Sequence, residues 1–310
     1  MNPITFTPLY RERVWGGREL STRLGRPLPG TQPVGEAWEV VDRPEAQSVV
    51  DEGPLRGRTL HELWSQQRTE IFGPRHDRSG ERFPLLGKLL DARDRLSVQV
   101  HPPAALASQL GGEPKTEMWY FLACDPGSHI FAGLRRGTTR EEFAEKLQEG
   151  TVDDCLHRLP TRAGDSIFIP SGRLHAIGGG NLLAEIQQNS DTTYRVFDWN
   201  RTGLDGRPRD LHIAESLRAI DFEDFAPPLQ HTASGVLADC EHFRVEKRTL
   251  DGPMELVPAD DFALATVVAG AATCGGRTFP VGAFFLLPAG GAPAVAPAQE
   301  TCHLLITTLT

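Results

Sequence analysis

Ser97-Val98-Gln99-Val100-His101-Pro102 and, after a Gly-rich break, Lys115-Thr116-Glu117-Met118-Trp119-Tyr120 are the stretches on which the fold is read. Side chains of a β-strand alternate between its two faces. Gln99 and His101 therefore point the same way from one strand, and Lys115 and Glu117 do likewise from its expected neighbour. A polar pair facing an acid and a lysine is costly in a core unless something satisfies the group. A divalent metal is the simplest partner. The rest of the chain is then the scaffold of that site and the source of its third ligand.

That ligand is expected at His175. Arg162-Ala163-Gly164-Asp165 is a turn, Ser166-Ile167-Phe168-Ile169 a hydrophobic strand, and Pro170-Ser171-Gly172 a second turn leading to the histidine, which suits the rim of a small β-barrel. With Gln99, His101 and Glu117 it makes two imidazoles, a carboxylate and an amide. Such a set fits zinc in a catalytic site, with an open position for water or substrate. Iron, manganese and cobalt accept the same ligands. The other histidines (His61, His76, His129, His157, His212, His231, His242 and His303) are assigned no role. Val281-Gly282-Ala283-Phe284-Phe285-Leu286-Leu287-Pro288-Ala289-Gly290 repeats the Gly-strand-Pro-small-Gly pattern without a histidine or acid, which predicts a metal-free structural copy.

Glu185 to Trp199 is dense in polar residues yet interleaved with Tyr194, Val196, Phe197 and Trp199, as expected of a strand lining a polar cavity. Asp191 and Arg195 form a plain salt bridge on the simplest reading. Placed in a metal cavity, the aspartate can move protons, and the arginine can hold a phosphate or a developing oxyanion.

The scaffold reads as mainly β. The chain has 310 residues with many Gly and Pro and short apolar runs, enough for one large or two moderate domains. Short strands are expected at Ile4-Thr5-Phe6, around Trp15-Gly16-Gly17, and over Gly35 to Val41, with Trp15 and Trp38 packed in the core or at a barrel mouth. An apolar strand interrupted by Lys88 follows over Phe83 to Leu90. Thr59 with Glu62, and Thr139 with Glu142, are capping boxes that predict helices over 59–71 and 139–149. Asp210 to Ile220 is expected to be helical, and 223–234 reads as a linker to a small all-β domain. A net charge of -9 with no basic stripe excludes a general nucleic-acid binder. Five scattered cysteines without a CxxC pair read as reduced thiols, and no run approaches a membrane span, so the expected location is the cytoplasm.

Several separated motifs together resemble one family. Phe83-Pro84-Leu85-Leu86 with Lys88, Leu96 to Pro102, Lys115 to Tyr120, Pro170-Ser171-Gly172 with His175-Ala176, and Gln187-Gln188-Asn189-Ser190-Asp191-Thr192-Thr193-Tyr194-Arg195 are similar to the type I phosphomannose isomerases, in their short bacterial form above all. Val14-Trp15-Gly16-Gly17 and Gly35-Glu36-Ala37-Trp38-Glu39 match too, so the resemblance spans about residues 5–220 and weakens toward the end. It implies a cupin (double-stranded β-helix or jelly-roll) fold with short helical insertions and one zinc ion per chain. The implied reaction interconverts mannose 6-phosphate and fructose 6-phosphate through an enediol or enediolate. Gln99, His101, Glu117 and His175 fall on the metal-ligand positions, Arg195 on the active-site arginine, Asp191 on an acid of proton transfer, and Lys88 and Lys115 on active-site lysines. The longer members insert a helical domain that this chain lacks.

The organisation that follows is a catalytic cupin domain over 1–232 and a cupin-like domain without metal ligands over 233–310. A cation beside Lys115 would lower its pKa, so Lys115 serves as a base or simply as a hydrogen-bond donor, and the proton-transfer group is Lys115 or Asp191. The implied partner is a hexose 6-phosphate, with no nucleic acid or membrane, for a monomer or weak homodimer. Two other readings share the ligand set: an Fe(II) cupin oxygenase, and a sugar-phosphate-binding cupin without turnover.

Overall fold

The structure is a computed structural model describing residues 1–310. Two antiparallel sheets enclose the expected site. One has seven strands in the order Leu9–Gly17, Val34–Val40, Leu85–Ala92, Asn181–Gln188, Glu117–Cys124, Asp165–Ile169 and Gln230–His231. The other has five, in the order Tyr194–Phe197, Val98–Val100, His175–Ile177, His129–Leu134 and Leu156–Pro160. From Leu85–Ala92 to Tyr194–Phe197 the chain alternates between the sheets, except where His129–Leu134 and Leu156–Pro160 pair within one of them, and this winding is the double-stranded β-helix of the cupins. One expectation is corrected here. The Val98–Val100 and Glu117–Cys124 strands are not neighbours but belong to opposite sheets. Gln99 and Glu117 thus meet across the barrel.

All eight residues of Leu85–Ala92 are buried, as in a central strand covered on both faces. One cover is the barrel interior, and the other is the C-terminal sheet. That sheet runs Gly235–Asp239, Arg244–Leu250, Cys302–Thr308, Ala263–Ala269, Phe284–Leu287, with a three-stranded sheet beside it. A Cβ at Gly87 would lie 2.9 Å from the Phe284 ring, so only glycine lets the two layers approach this closely. Leu264, Phe284, Leu286 and Leu305 share one apolar cluster with Phe6, Leu85, Leu89, Met118 and Ile186 of the N-terminal part. Ile4 exchanges both backbone hydrogen bonds with Leu286 and so extends the C-terminal sheet.

The internal repeat is visible in the backbone. Gly164 and Gly172 both have φ of +94°, and their counterparts Gly282 and Gly290 have +83° and +81°, so each strand is bracketed by the same pair of left-handed turns. Three residues beyond Gly172 stands His175; three beyond Gly290 stands Pro293.

Thr59 accepts from Glu62 N–H while the Glu62 side chain accepts from Thr59 N–H, but the expected single helix is two, Leu60–Gln66 and Arg68–Phe72. Arg68 Nε donates to Trp64 C=O at 2.8 Å, taking the carbonyl that a continuous helix would offer to the Arg68 N–H. The helix Arg140–Glu149 has the Thr139 half of its capping box and ends at Gly150 in the left-handed region. Ile213–Ala219 is helical. Residues 223–234 are less a free linker than a strap: Ala226 N–H bonds Leu134 C=O, and Gln230–His231 joins the seven-stranded sheet. No helix is long and apolar enough to cross a membrane.

Glu39 is 4 % exposed, 3.1 Å from Arg26. Burial outweighs that partner and raises its pKa from 4.5 to about 7. The folded chain therefore holds this proton more tightly than the unfolded chain, and stability falls as pH rises from 4.5 to about 7. Glu39→Gln is expected to remove this loss and stabilise the protein at pH 8 by up to roughly 3 kcal/mol, with little effect near pH 4.5. Urea unfolding at the two pH values checks it; equal destabilisation at both would show that the ion pair, and not the burial, dominates.

Candidate metal centre and active site

Strand register places the site. Across the five-stranded sheet Gln99 is paired with His175 on one side and with Arg195 on the other, so the three side chains form one row on the inner face. Across the seven-stranded sheet Glu185 is paired with Lys88 and with Trp119, and two residues along, Gln187 is paired with Glu117. The two inner faces look at each other across the barrel. His101 lies one residue past its strand, where Gly172 N–H bonds its carbonyl at 2.8 Å. The Pro170-Ser171-Gly172 turn also holds the other side of the site. Ser171 Oγ accepts from Lys115 N–H at 3.1 Å, and Ser171 N–H donates to Thr116 Oγ1.

His101, Glu117 and His175 offer ligand atoms all within 4.8 Å of one another, and all three are buried. His101 Nε2 is 3.6 Å from one Glu117 oxygen, and His175 Nε2 is 3.4 Å from the other. Each imidazole uses Nδ1 on a carbonyl: His101 on Thr192 at 2.8 Å, His175 on Arg173 at 2.9 Å. That fixes the proton on Nδ1 and turns both Nε2 lone pairs inward. Burial, reinforced by Lys115, lowers the His101 pKa to about 3, and burial likewise lowers that of His175. Burial alone would raise Glu117, but the Lys115 ammonium beside it holds it well below the carboxylate range. Two neutral imidazoles and one ionised carboxylate are the protonation states that a metal requires. Apart from an ion contact with Lys115, both buried Glu117 oxygens accept no hydrogen bond. These orphaned acceptors and converging lone pairs fit a divalent ion. Gln99 stands at the edge, its amide 3.2 Å from His175 Nε2.

The ligands open onto a cavity of about 560 Å³ lined by Lys88, Gln99, Lys115, Glu185, Asp191 and Arg195, among others. Every residue singled out in the sequence is therefore brought to one place. Their relations differ from expectation in one respect. Asp191 and Arg195 form no ion pair; Arg195 donates to Asp210 C=O instead, and its buried Nε has no partner. Lys115 Nζ lies 2.8 Å from Glu117 and 3.3 Å from His101 Nε2. Burial disfavours its charge, but Glu117, Glu185 and Asp191 together outweigh that and raise its pKa, whereas the expected lowering needs a bound cation. Lys115 is held as an ammonium donor.

Sequence reading missed Glu185, Glu36 and Arg13. Glu185, 3 % exposed, sits 3.2 Å from Lys88 and accepts from Trp119 Nε1 at 3.0 Å. Burial, then the nearby Glu117 charge, raises its pKa. Its signal was the period-two spacing from Gln187 in an otherwise apolar strand. Glu36 is gripped by Arg13 through two bonds of 3.0 Å and by Trp38 at 2.7 Å. Burial opposes ionisation, yet Lys88 and Arg13 bring its pKa down to about 2.

The family model for the type I phosphomannose isomerase catalytic domain matches residues 4–120. Mannose-6-phosphate isomerase of Bacillus subtilis is 39% identical over 279 residues, covering 86% of each chain. The chain belongs to the type I phosphomannose isomerases. A crystal structure of mannose 6-phosphate isomerase from Bacillus subtilis superposes with a TM-score of 0.84 at 32% identity, covering 99% of both chains. A mannose 6-phosphate isomerase solved with zinc and yttrium shares the fold at a TM-score of 0.75 and 16% identity.

Proposed function

We propose that this chain interconverts mannose 6-phosphate and fructose 6-phosphate in the 560 Å³ cavity, with one zinc ion per chain on His101, Glu117 and His175. The observation that carries the reading is the register that sets Gln99, His175 and Arg195 on one inner face against Glu117 and the buried Lys88–Glu185 pair on the other. When bound, the metal supplies Lewis-acid stabilisation of the oxygen that gains charge as the neighbouring carbon loses its proton. Gln99 joins the ligand set if its amide oxygen turns inward.

The chain's own groups supply the proton chemistry. The reaction removes the proton from C2 of the aldose and returns it to C1, through an enediolate. Glu185 is the carboxylate best suited to carry it, because burial raises its proton affinity above that of an exposed acid. Lys88 beside it steadies the ionised form and can donate to a substrate hydroxyl. Lys115, as an ammonium, donates to the sugar oxygen that takes up charge. Asp191 at the exposed mouth orients hydroxyls and can shuttle protons between oxygens.

The phosphate is assigned to the opposite rim. Arg201 and Arg209 both bind the single carboxylate of Asp198, and Arg195 beside them keeps a buried donor unused. Two guanidiniums sharing one carboxylate, with a third beside them, leave an excess of positive charge that favours a dianion. Arg195→Ala is expected to raise KM for the sugar phosphate roughly tenfold to a hundredfold, with a smaller change in kcat, and to leave zinc content intact. Steady-state kinetics with metal analysis checks it; an unchanged KM would move the phosphate elsewhere.

Residues 1–232 are read as the catalytic unit and 233–310 as a metal-free buttress, supported by Phe284 packing behind Gly87, next to Lys88. The cavity is built within one chain, which supports a site complete in a monomer or a weak homodimer. Five unpaired cysteines support the cytoplasm. The direct test of the reaction is mannose 6-phosphate in D2O: the account predicts its conversion to fructose 6-phosphate, with deuterium at C1 in the share of turnovers in which the proton on Glu185 exchanges with solvent before its return, whereas a pure binding protein returns the sugar unconverted and unlabelled.

A further inference from the structure

Two segments outside any helix or strand, Glu113 to Lys115 and Asn189 to Thr192, bring Lys115 and Asp191 to the cavity wall. They are tied together. Glu113 N–H donates to Thr192 Oγ1 at 3.0 Å, and Thr192 N–H donates to Ser190 Oγ at 3.2 Å. Thr192 C=O in turn receives the Nδ1 proton of His101, the bond that aims this histidine at Glu117. The orientation of a metal ligand thus depends on where an irregular loop holds one carbonyl.

Something rigid must fix that loop from behind. Arg43, 14% exposed, does not line the cavity but a shallow recess outside it. Its Nη1 donates to Asn189 C=O and to a Glu113 carboxylate oxygen, each at 2.8 Å, and so spans both segments. Its own base is firm. The neighbouring Asp42 carboxylate is fully buried and accepts from Phe83 N–H at 2.9 Å and Arg82 at 2.9 Å, and Asp42 C=O accepts from Asn189 Nδ2 at 2.6 Å.

We propose that Arg43 is a positioning residue for the metal centre: it clamps the Asn189 and Glu113 segments so that Thr192 C=O holds His101 in its ligating orientation. Arg43 touches no substrate. The inference deepens the proposed function and rests on it.

The test measures zinc affinity by chelator competition, kcat and KM for mannose 6-phosphate, and the thermal midpoint, for the full chain and for Arg43→Ala, Arg43→Lys and Glu113→Gln. Changing the partner of a metal-bound histidine typically weakens the metal tenfold to a hundredfold, and Arg43 acts one bond further out. Arg43→Ala is expected to lose about tenfold in zinc affinity and a similar factor in kcat, with KM within about twofold. Arg43→Lys should recover part of both losses, keeping the charge without the fork. Glu113→Gln keeps an amide oxygen to accept from Arg43 and loses only the charge of an exposed ion pair, so it should stay within about twofold of the parent. Zinc affinity and kcat within twofold of the parent in Arg43→Ala would overturn the proposal. So would a loss that only tracks the unfolded fraction. If that variant does not fold, Arg43→Lys decides, with a two- to fivefold loss of zinc affinity expected and none overturning it. A parent chain that binds no zinc removes the metal reading and this inference together; a zinc-binding parent beside an unchanged variant removes the inference alone.

Discussion

Replacing His101 by alanine is expected to lower kcat/KM by about a thousandfold or more and to leave the purified chain without stoichiometric zinc. The argument is one of ligand count. Glu117 and His175 remain, but two protein ligands do not make the three-ligand site that a catalytic zinc requires. Loss of the stabilised oxyanion is worth several kcal/mol, and each 1.36 kcal/mol is tenfold in rate. His101 is 1 % exposed, so the variant also leaves a small cavity; circular dichroism and the thermal midpoint separate that effect from metal loss. Glu117 keeps its ion contact with Lys115 at 2.8 Å, which limits the penalty of leaving the carboxylate buried. Full zinc occupancy with unimpaired turnover in this variant would sink the metal assignment.

Glu185→Gln is the second large effect. The substitution preserves shape and the Trp119 contact while removing the group that takes the proton. General base catalysis is worth roughly a hundredfold to ten-thousandfold, so kcat should fall by that range with KM little changed. Deuterium uptake at C1 should fall in parallel, and the acid limb of the kcat/KM profile should vanish from any residual activity. Asp191→Asn, at the exposed mouth, should lose roughly tenfold. The reverse ranking would return the proton-transfer role to Asp191.

Much of this site could be read before any fold was known, because period-two alternation converts sequence spacing into a shared face. Gln99 and His101, Lys115 and Glu117 were found that way, and the Gly-Pro-Gly framing of the 165–169 strand led to His175. The pattern says which residues share a face, but not which strands adjoin. That is why Gln99 and Glu117 seemed neighbours when they meet across the barrel. Charge environments were less legible still. The charge of Lys115 is set by burial, by Glu117 two residues away, and then by Glu185 and Asp191, which only the closure of the barrel brings near it. Glu185 lay in a stretch recognised as a cavity strand, yet its burial against Lys88 and Trp119 comes from register with two strands distant in sequence. Helix caps were local and therefore legible. The break after Gln66 was not, because it turns on the side chain of Arg68 reaching back to Trp64 C=O.

The most direct test is turnover of fructose 6-phosphate to mannose 6-phosphate by the purified chain, measured as isolated, after chelation, and after one equivalent of zinc is restored. Activity that disappears on chelation and returns with zinc is the predicted result. A folded, zinc-loaded chain that binds the sugar phosphate without converting it would contradict the account.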